Sequence, residues 1–121
     1  MHAILLALLL AQNQTCSAPD LAVSARVAGV TQNDGLNHYA IAVTVRNVGS
    51  APSGWQFVDV YKNGEKKDAK GIPSLGPGRS YTYTYGYNRS REAGNGTIDL
   101  SFQPASRSGC NTSNEGYVLT F

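Results

Sequence analysis

Apolar and polar residues alternate with a period of two over much of the chain, most clearly in HYAIAVTVRNV, residues 38–48. One face of this run carries its large apolar side chains, at Tyr39, Ile41, Val43 and Val45. The other face carries small or polar residues, at His38, Ala40, Ala42, Thr44 and Arg46. The pattern is typical of an antiparallel strand that packs one face on a core and exposes the other face to solvent.

Other segments have the same strand character, and turn residues separate them. They are PDLAVSARVAGV, QFVDVYKNGEKK, SYTYTYGY, TIDLSFQ and YVLTF. Asn63-Gly64 predicts a two-residue hairpin turn, because both residues tolerate the positive φ of a type I′ turn. Asp34-Gly35 marks a second turn, within TQNDGLN. We therefore predict an all-β fold, an immunoglobulin-like antiparallel β-sandwich of about seven strands, in which VRNVGSAPSG (residues 45–54) crosses between the sheets.

The chain of 121 residues is long enough for one domain with one core. Residues 1–11 contain an apolar run that is too short to span a bilayer, and we interpret them as a signal peptide. They lack Lys and Arg, and the alternative is a retained hydrophobic segment that packs into this domain or a neighbouring copy. Residues 12–18 form a short linker, and residues 19–121 form the sandwich domain. Because of the predicted signal peptide, we expect a secreted or cell-surface protein.

The two cysteines fit an exported protein. Cys16 precedes the first predicted strand and Cys110 precedes the last, and these two positions can lie at the same end of a sandwich. We predict a Cys16–Cys110 disulfide, which would stabilise the fold by roughly 4–5 kcal/mol in the chain-entropy model. The alternative is two unpaired buried thiols.

A series of short motifs resembles the CARDB family, immunoglobulin-like modules of bacterial and archaeal surface proteins. The motifs are APDLAVS, VTVRNVGSAPSG, VDVYKNGEK, IPSLGPGRSYTYTY and SNEG, in that order. The resemblance spans residues 19–121 and implies adhesion, display or spacing rather than catalysis. The acidic segment that the family carries before SNEG is replaced here by PASRSGCNT, and the double Asn after it is missing.

The sequence offers no arrangement of residues for catalysis or for a cofactor. His38 is the only histidine outside the leader, and the chain lacks a Gly-x-Ser-x-Gly motif and a Gly-rich phosphate loop. Two distant Cys and one His do not make a zinc site. The net charge is only +2 and the basic residues are scattered, so we predict no nucleic-acid binding. Because the N-terminal apolar run is too short, we also predict no stable transmembrane span.

Aromatic residues are the candidates for ligand contact. Tyr81, Tyr83, Tyr85 and Tyr87 alternate along one strand, and we expect them to face the core, with Thr82 and Thr84 facing solvent. The alternative is an exposed platform for sugar rings. A second set, Trp55, Phe57 and Tyr61, is the candidate ligand contact. Trp55 is expected at the end of the core, and Phe57 and Tyr61 lie opposite the inward Val58 and Val60.

Four sequons are candidate glycosylation sites. They begin at Asn13, Asn88, Asn95 and Asn111, all in predicted loops or at strand ends.

The function predicted first is that of an exported, non-enzymatic module that acts in surface adhesion or builds an envelope assembly. Its partners would be other surface proteins or copies of itself. One alternative is a carbohydrate-binding module that uses exposed aromatic residues. Another is a filament subunit whose N-terminal apolar segment completes the sheet of a neighbouring subunit.

Overall fold

The computed structural model describes residues 19–91, 96–105 and 116–121. Its regular elements are seven strands: β1 (Leu21–Asn33), β2 (Leu36–Asn47), β3 (Gln56–Lys62), β4 (Glu65–Ile72), β5 (Ser80–Ser90), β6 (Asp99–Pro104) and β7 (Tyr117–Thr120). This confirms the predicted all-β fold and the number of strands. No helix among the described residues could span a membrane.

The strands form two antiparallel sheets that pack face to face. One sheet has the order β1-β2-β5 and the other the order β4-β3-β6-β7. The segment between β2 and β3 passes from the first sheet to the second, as VRNVGSAPSG predicted. The fourth strand pairs with the third, whereas in constant-type immunoglobulin domains the fourth strand joins the sheet of the first two.

Both predicted turns are present, and each has two central residues. Asp34 and Gly35 have φ values of 52° and 76°, and Asn63 and Gly64 have values of 50° and 86°. Positive φ at both central positions is the requirement of a type I′ turn, whose twist matches that of the flanking strands. Because the first turn needs only two residues, β1 and β2 extend through most of TQNDGLN, which the sequence pattern had assigned to a turn.

The core lies between the inner faces of the two sheets, as the alternation predicted. Its buried apolar residues are Leu21, Val23, Ala25, Ile41, Val43, Val45, Val58, Val60, Ile72, Leu75, Leu100 and Phe102. Burying each of the larger side chains contributes roughly 1.5–3 kcal/mol. These residues alternate with polar ones in β2, β3 and β6, so period two in the sequence corresponds directly to the two faces of each sheet.

The tyrosine row also packs against the core, which confirms the expected orientation. Tyr81, Tyr83, Tyr85 and Tyr87 are partly buried, because β5 is an edge strand and has a neighbour on one side only. Thr82 and Thr84 are exposed on the opposite face. The row is therefore not available as a flat exposed platform.

Candidate functional site

Two large aromatic side chains are exposed on the outer face of the four-stranded sheet. Trp55 is 73% exposed and Phe57 is 53% exposed. A Cβ atom placed on Gly71 would lie 3.4 Å from Cζ3 of Trp55 and 3.6 Å from Cε1 of Phe57, so both rings lie against the backbone of this glycine. We refer to Trp55, Phe57 and Gly71 as the aromatic surface.

The strand register explains why the two rings meet at this point. Phe57 is the direct cross-strand partner of Gly71, and Trp55 precedes it by two residues. Residues two apart project to the same side of an extended chain. An aromatic ring that covers a glycine on an edge strand compensates for the missing side chain. Both rings keep more than half of their surface exposed to solvent despite this packing.

Asn47 fixes the start of the segment that carries Trp55. Its side chain is 0% exposed. Its Oδ1 accepts from the backbone N–H groups of Asp20 (3.2 Å) and Gly49 (2.9 Å). Its Nδ2 donates to the carbonyl oxygens of Ala51 (2.8 Å) and Leu75 (2.9 Å). One buried amide thus connects the start of β1, the β2–β3 segment and the β4–β5 segment, with its hydrogen-bonding capacity used.

Ser53 fixes the end of the same segment. The backbone N–H of Ser53 donates to the carbonyl oxygen of Leu75 at 2.9 Å, and Oγ of Ser53 accepts from the N–H of Leu75 at 2.9 Å. Gly54, at φ 72°, donates from its N–H to Oγ of Ser74 at 3.0 Å. Because both ends of the segment are held, Trp55 is presented on an ordered backbone, which lowers the entropy cost of a contact made through its ring.

The structure corrects the expected position of Trp55, and it places Tyr61 away from the aromatic surface. Trp55 does not cover the end of the core, because the β2–β3 segment leaves its ring on the outer face. Tyr61 lies on the same face of β3 as Phe57 but about 13 Å along the strand. Asp59 lies between them. The aromatic surface therefore contains two of the three predicted contact residues.

Asp59 is the buried charged residue next to the aromatic surface. It lies on the outer face of β3 with little exposure, and its Oδ1 is 3.4 Å from Nζ of the exposed Lys66. An ion pair with one exposed partner contributes little to stability. Among the described residues, no three His, Cys, Asp or Glu side chains form a group that could hold a metal ion.

Most of the other predicted residues lie outside the described part of the chain. These are Cys16, Cys110, Asn13, Asn95 and Asn111. Asn88 is described: it is exposed on β5, and its Oδ1 is 2.7 Å from Nδ1 of His38 on the neighbouring strand. His38 is thus engaged in a cross-strand contact on the outer face of the first sheet.

Sequence reasoning did not identify Asn47 as a structural centre, although the sequence contains a signal for it. In the run that ends β2, the odd-numbered residues point inward, and Asn47 occupies the next inward position after Val45. A polar residue in a core position needs buried hydrogen-bond partners. Its partners come from other parts of the chain, so the pattern alone could not name them.

Two packed antiparallel sheets define an immunoglobulin-like module, and the outer face of one sheet carries an exposed aromatic pair. The family model CARDB matches residues 18–115, and the chain belongs to the CARDB family. No curated protein sequence matches the chain.

Two solved structures of the CARDB domain of PF1109 from Pyrococcus furiosus have the same fold. The crystal structure, of a complex with di-metal ions, is 24% identical and has a TM-score of 0.68, covering 89% of this chain and 90% of that one. The solution NMR structure is 23% identical and has a TM-score of 0.66, covering 86% and 94%.

Proposed function

We propose that the protein is an exported, non-enzymatic module that acts by surface contact, either in cell-surface adhesion or as a building block of an envelope assembly. Family membership supports the class of function, because CARDB domains are immunoglobulin-like modules of surface proteins. The observation that carries the proposal is the aromatic surface, in which Trp55 is largely exposed on a segment held by Asn47 and Ser53.

The physical reason for choosing this surface is the energy available from it. Tryptophan is enriched among the residues that contribute most to protein–protein binding, because a large rigid ring buries much area at a small entropy cost. Leaving Trp55 and Phe57 in water gives up this favourable burial in the isolated module. A partner that covers both rings recovers it.

Carbohydrate binding is the second candidate, and the same two rings favour it. Adjacent aromatic rings on an ordered backbone can stack on the apolar face of a sugar. The tyrosine row, in contrast, is packed against the core and adds nothing to such a platform. The candidate site for a sugar is therefore limited to Trp55 and Phe57.

Strand addition in a filament receives less support from the edge strand β4. Its Lys66, Lys67 and Lys70 place positive charge along the open edge, and lysine on an edge strand opposes pairing with another strand. Asp68 pairs with Val60, and Lys70 pairs with Val58, so both charged side chains lie on the inner face of the sheet. Inward-pointing charges on an edge strand also oppose pairing with another strand. We therefore place the proposed contact on the outer face of this sheet.

The experiment compares Trp55→Ala and Phe57→Ala with the control Val118→Ala, which truncates an exposed residue (54%) of the same sheet. Binding of the purified protein is measured to cell envelopes of the source organism, to protease-treated envelopes, and to cellulose, chitin and xylan. We expect each aromatic variant to weaken envelope binding by roughly tenfold or more. We expect the free energy of unfolding to fall by no more than about 1 kcal/mol in each aromatic variant, because each ring is mostly exposed and loses only its packing on Gly71.

The ligand arms of this experiment separate the two candidates. Binding that is lost after protease treatment supports a protein partner, whereas retained binding together with binding to a polysaccharide supports the carbohydrate candidate. Envelope binding that is equal in wild type, both aromatic variants and Val118→Ala contradicts the assignment of the aromatic surface.

A further inference from the structure

A polar cavity lies at the end of β2 that is opposite to the aromatic surface. It has a volume of about 340 Å³, and its lining includes Asn37, Tyr39, Arg89, Ser90, Arg91 and Phe121. Asn37 is the second residue of β2, whereas the aromatic surface follows the last residue of this strand. The cavity is therefore a separate feature from the proposed contact surface.

The register of the first sheet produces the polar character of the cavity. Gln32, Asn37 and Arg89 are cross-strand neighbours on β1, β2 and β5, so their side chains share one face of the sheet. This is the inner face, because the preceding row contains Tyr39 and its partner Tyr87, which pack against the core. The polar row thus continues the inner face beyond the apolar core.

Aromatic rings form the boundary between the core and the polar row. The ring of Phe121 is 4.8 Å from that of Tyr39 and 5.2 Å from that of Tyr87, measured between centroids. Phe121 is held by reciprocal backbone hydrogen bonds with Ile98, at 2.8 and 3.0 Å. The cavity therefore has an apolar wall of fixed position beside its polar groups.

The two arginines are positive groups without a carboxylate partner among the residues that the structure describes. Nη2 of Arg89 donates to the carbonyl oxygen of Gly96 at 2.9 Å, and Nη1 of Arg91 donates to Oε1 of Gln32 at 3.3 Å. Neither guanidinium forms an ion pair within residues 19–91, 96–105 and 116–121. Each guanidinium has five N–H donors, so these contacts leave donors for a ligand.

Asn37 is a further polar residue of the cavity lining, and its amide oxygen is buried. Its Nδ2 donates weakly to the hydroxyl oxygen of Tyr39 at 3.5 Å. Its Oδ1 is buried and has no hydrogen-bond partner among the described residues. Because this oxygen is buried, the polar groups left to bind a ligand in the cavity are the free N–H donors of the two arginines.

We propose that this cavity binds a carboxylate that has an apolar side, the chemistry shared by an acidic sugar residue and a free organic acid. Arg89 and Arg91 bind the carboxylate through charge-assisted hydrogen bonds. The apolar side of the ligand lies against Tyr39 and Phe121. The volume is at the lower end of the range for ligand sites, which suits one monosaccharide.

The test is a titration of the full chain with each probe. Calorimetry measures the dissociation constant, and NMR measures the chemical-shift changes of the backbone amides. The probes are galacturonate, polygalacturonate, galactose and lactate. Galactose matches galacturonate in its hydroxyl groups but lacks the carboxylate, and we expect galacturonate to bind roughly tenfold more tightly. We expect the chemical shifts of the backbone amides to change in β2, in β5 and at Phe121 when galacturonate binds. Tighter binding of polygalacturonate identifies a polymer as the source of the group, and equal or tighter binding of lactate identifies a free acid.

Variants test the individual residues. Arg89→Gln and Arg91→Gln are each expected to weaken galacturonate binding by roughly tenfold, and Asn37→Asp to abolish it by placing a negative charge beside the carboxylate. Arg26→Gln, at an exposed position of β1 outside the cavity, is the control for lost positive charge. Galacturonate binding no tighter than that of galactose, or equal binding by wild type and both cavity arginine variants, overturns the proposal.

Discussion

At the scale of single residues, Asn47 determines more of the local structure than any of the exposed side chains. It is buried, and its amide satisfies two backbone N–H groups and two carbonyl groups from three segments of the chain. An apolar residue in the same position would leave those groups without partners, and each buried unpaired group costs about 1–3 kcal/mol.

We predict that Asn47→Ala lowers the free energy of unfolding by roughly 3–5 kcal/mol. Asn88→Ala, at an exposed asparagine of β5, should change it by less than about 0.5 kcal/mol. Urea unfolding followed by tryptophan fluorescence measures both, and Trp55 is the only tryptophan. Similar midpoints for Asn47→Ala and wild type would contradict the role assigned to this residue.

At the scale of the elements, β4 and β5 are edge strands on the same side of the sandwich. Nζ of Lys70 on β4 is 5.7 Å from the ring centroid of Tyr83 on β5, within reach of a cation–π interaction. Burial raises the pKa of Tyr83 to about 12, with smaller contributions from Tyr85, Asp68 and Tyr81. Burial likewise raises the pKa of Tyr85, with contributions from Asp68 and Tyr87.

The raised pKa of Tyr83 predicts a loss of stability in alkali. In the unfolded chain this phenol ionises near its ordinary pKa of 10, whereas in the folded chain it keeps its proton up to about pH 12. Between these values the unfolded state binds fewer protons, so the free energy of unfolding falls as pH rises. The contribution of Tyr83 is complete below pH 10 and is lost towards pH 12.

We predict that Tyr83→Phe is at least as stable as wild type at pH 7, because the hydroxyl of Tyr83 is buried without a hydrogen-bond partner among the described residues. The variant should also lose less stability than wild type between pH 9 and pH 11. Urea unfolding at these three pH values, with Tyr117→Phe as the exposed control, measures the effect. Parallel pH profiles for wild type and Tyr83→Phe would refute it.

At the scale of the whole molecule, the proposal of export leads to a prediction about covalent state. Protein purified without reductant from its native host should be lighter than the reduced form by the mass of two hydrogens, as one Cys16–Cys110 bond requires. Reduction should lower the free energy of unfolding by roughly 4–5 kcal/mol, because the bond closes a loop of most of the chain.

Intact-mass spectrometry with and without reductant is the measurement, and it also reports removal of residues 1–11 and any glycan on the four sequons. A Cys16→Ser variant is the control, since it should show no mass change on reduction. A reduced mass for wild type from the native host would reject the disulfide.

Much of the fold could be predicted because its causes are local. The alternation from Tyr39 to Val45 sets which side chains face inward, and Asn63-Gly64 sets the turn that pairs β3 with β4. The tyrosine row follows the same alternation of inward and outward side chains, since Tyr83 faces inward and Thr82 faces outward. Each of these features depends on residues within a few positions of one another, so a pattern of period two and a turn dipeptide contain the information.

The sequence by itself determined the class of fold, the face of each strand and the CARDB resemblance, because alternation and turn chemistry act over short distances. Only the tertiary structure decided which distant residues meet. It placed Trp55 on the outer face against Gly71, gave Asn47 its four partners, and brought Asn37, Arg89 and Phe121 to one cavity. These contacts depend on strand pairing and on the packing of two sheets, and no local pattern specifies either of them.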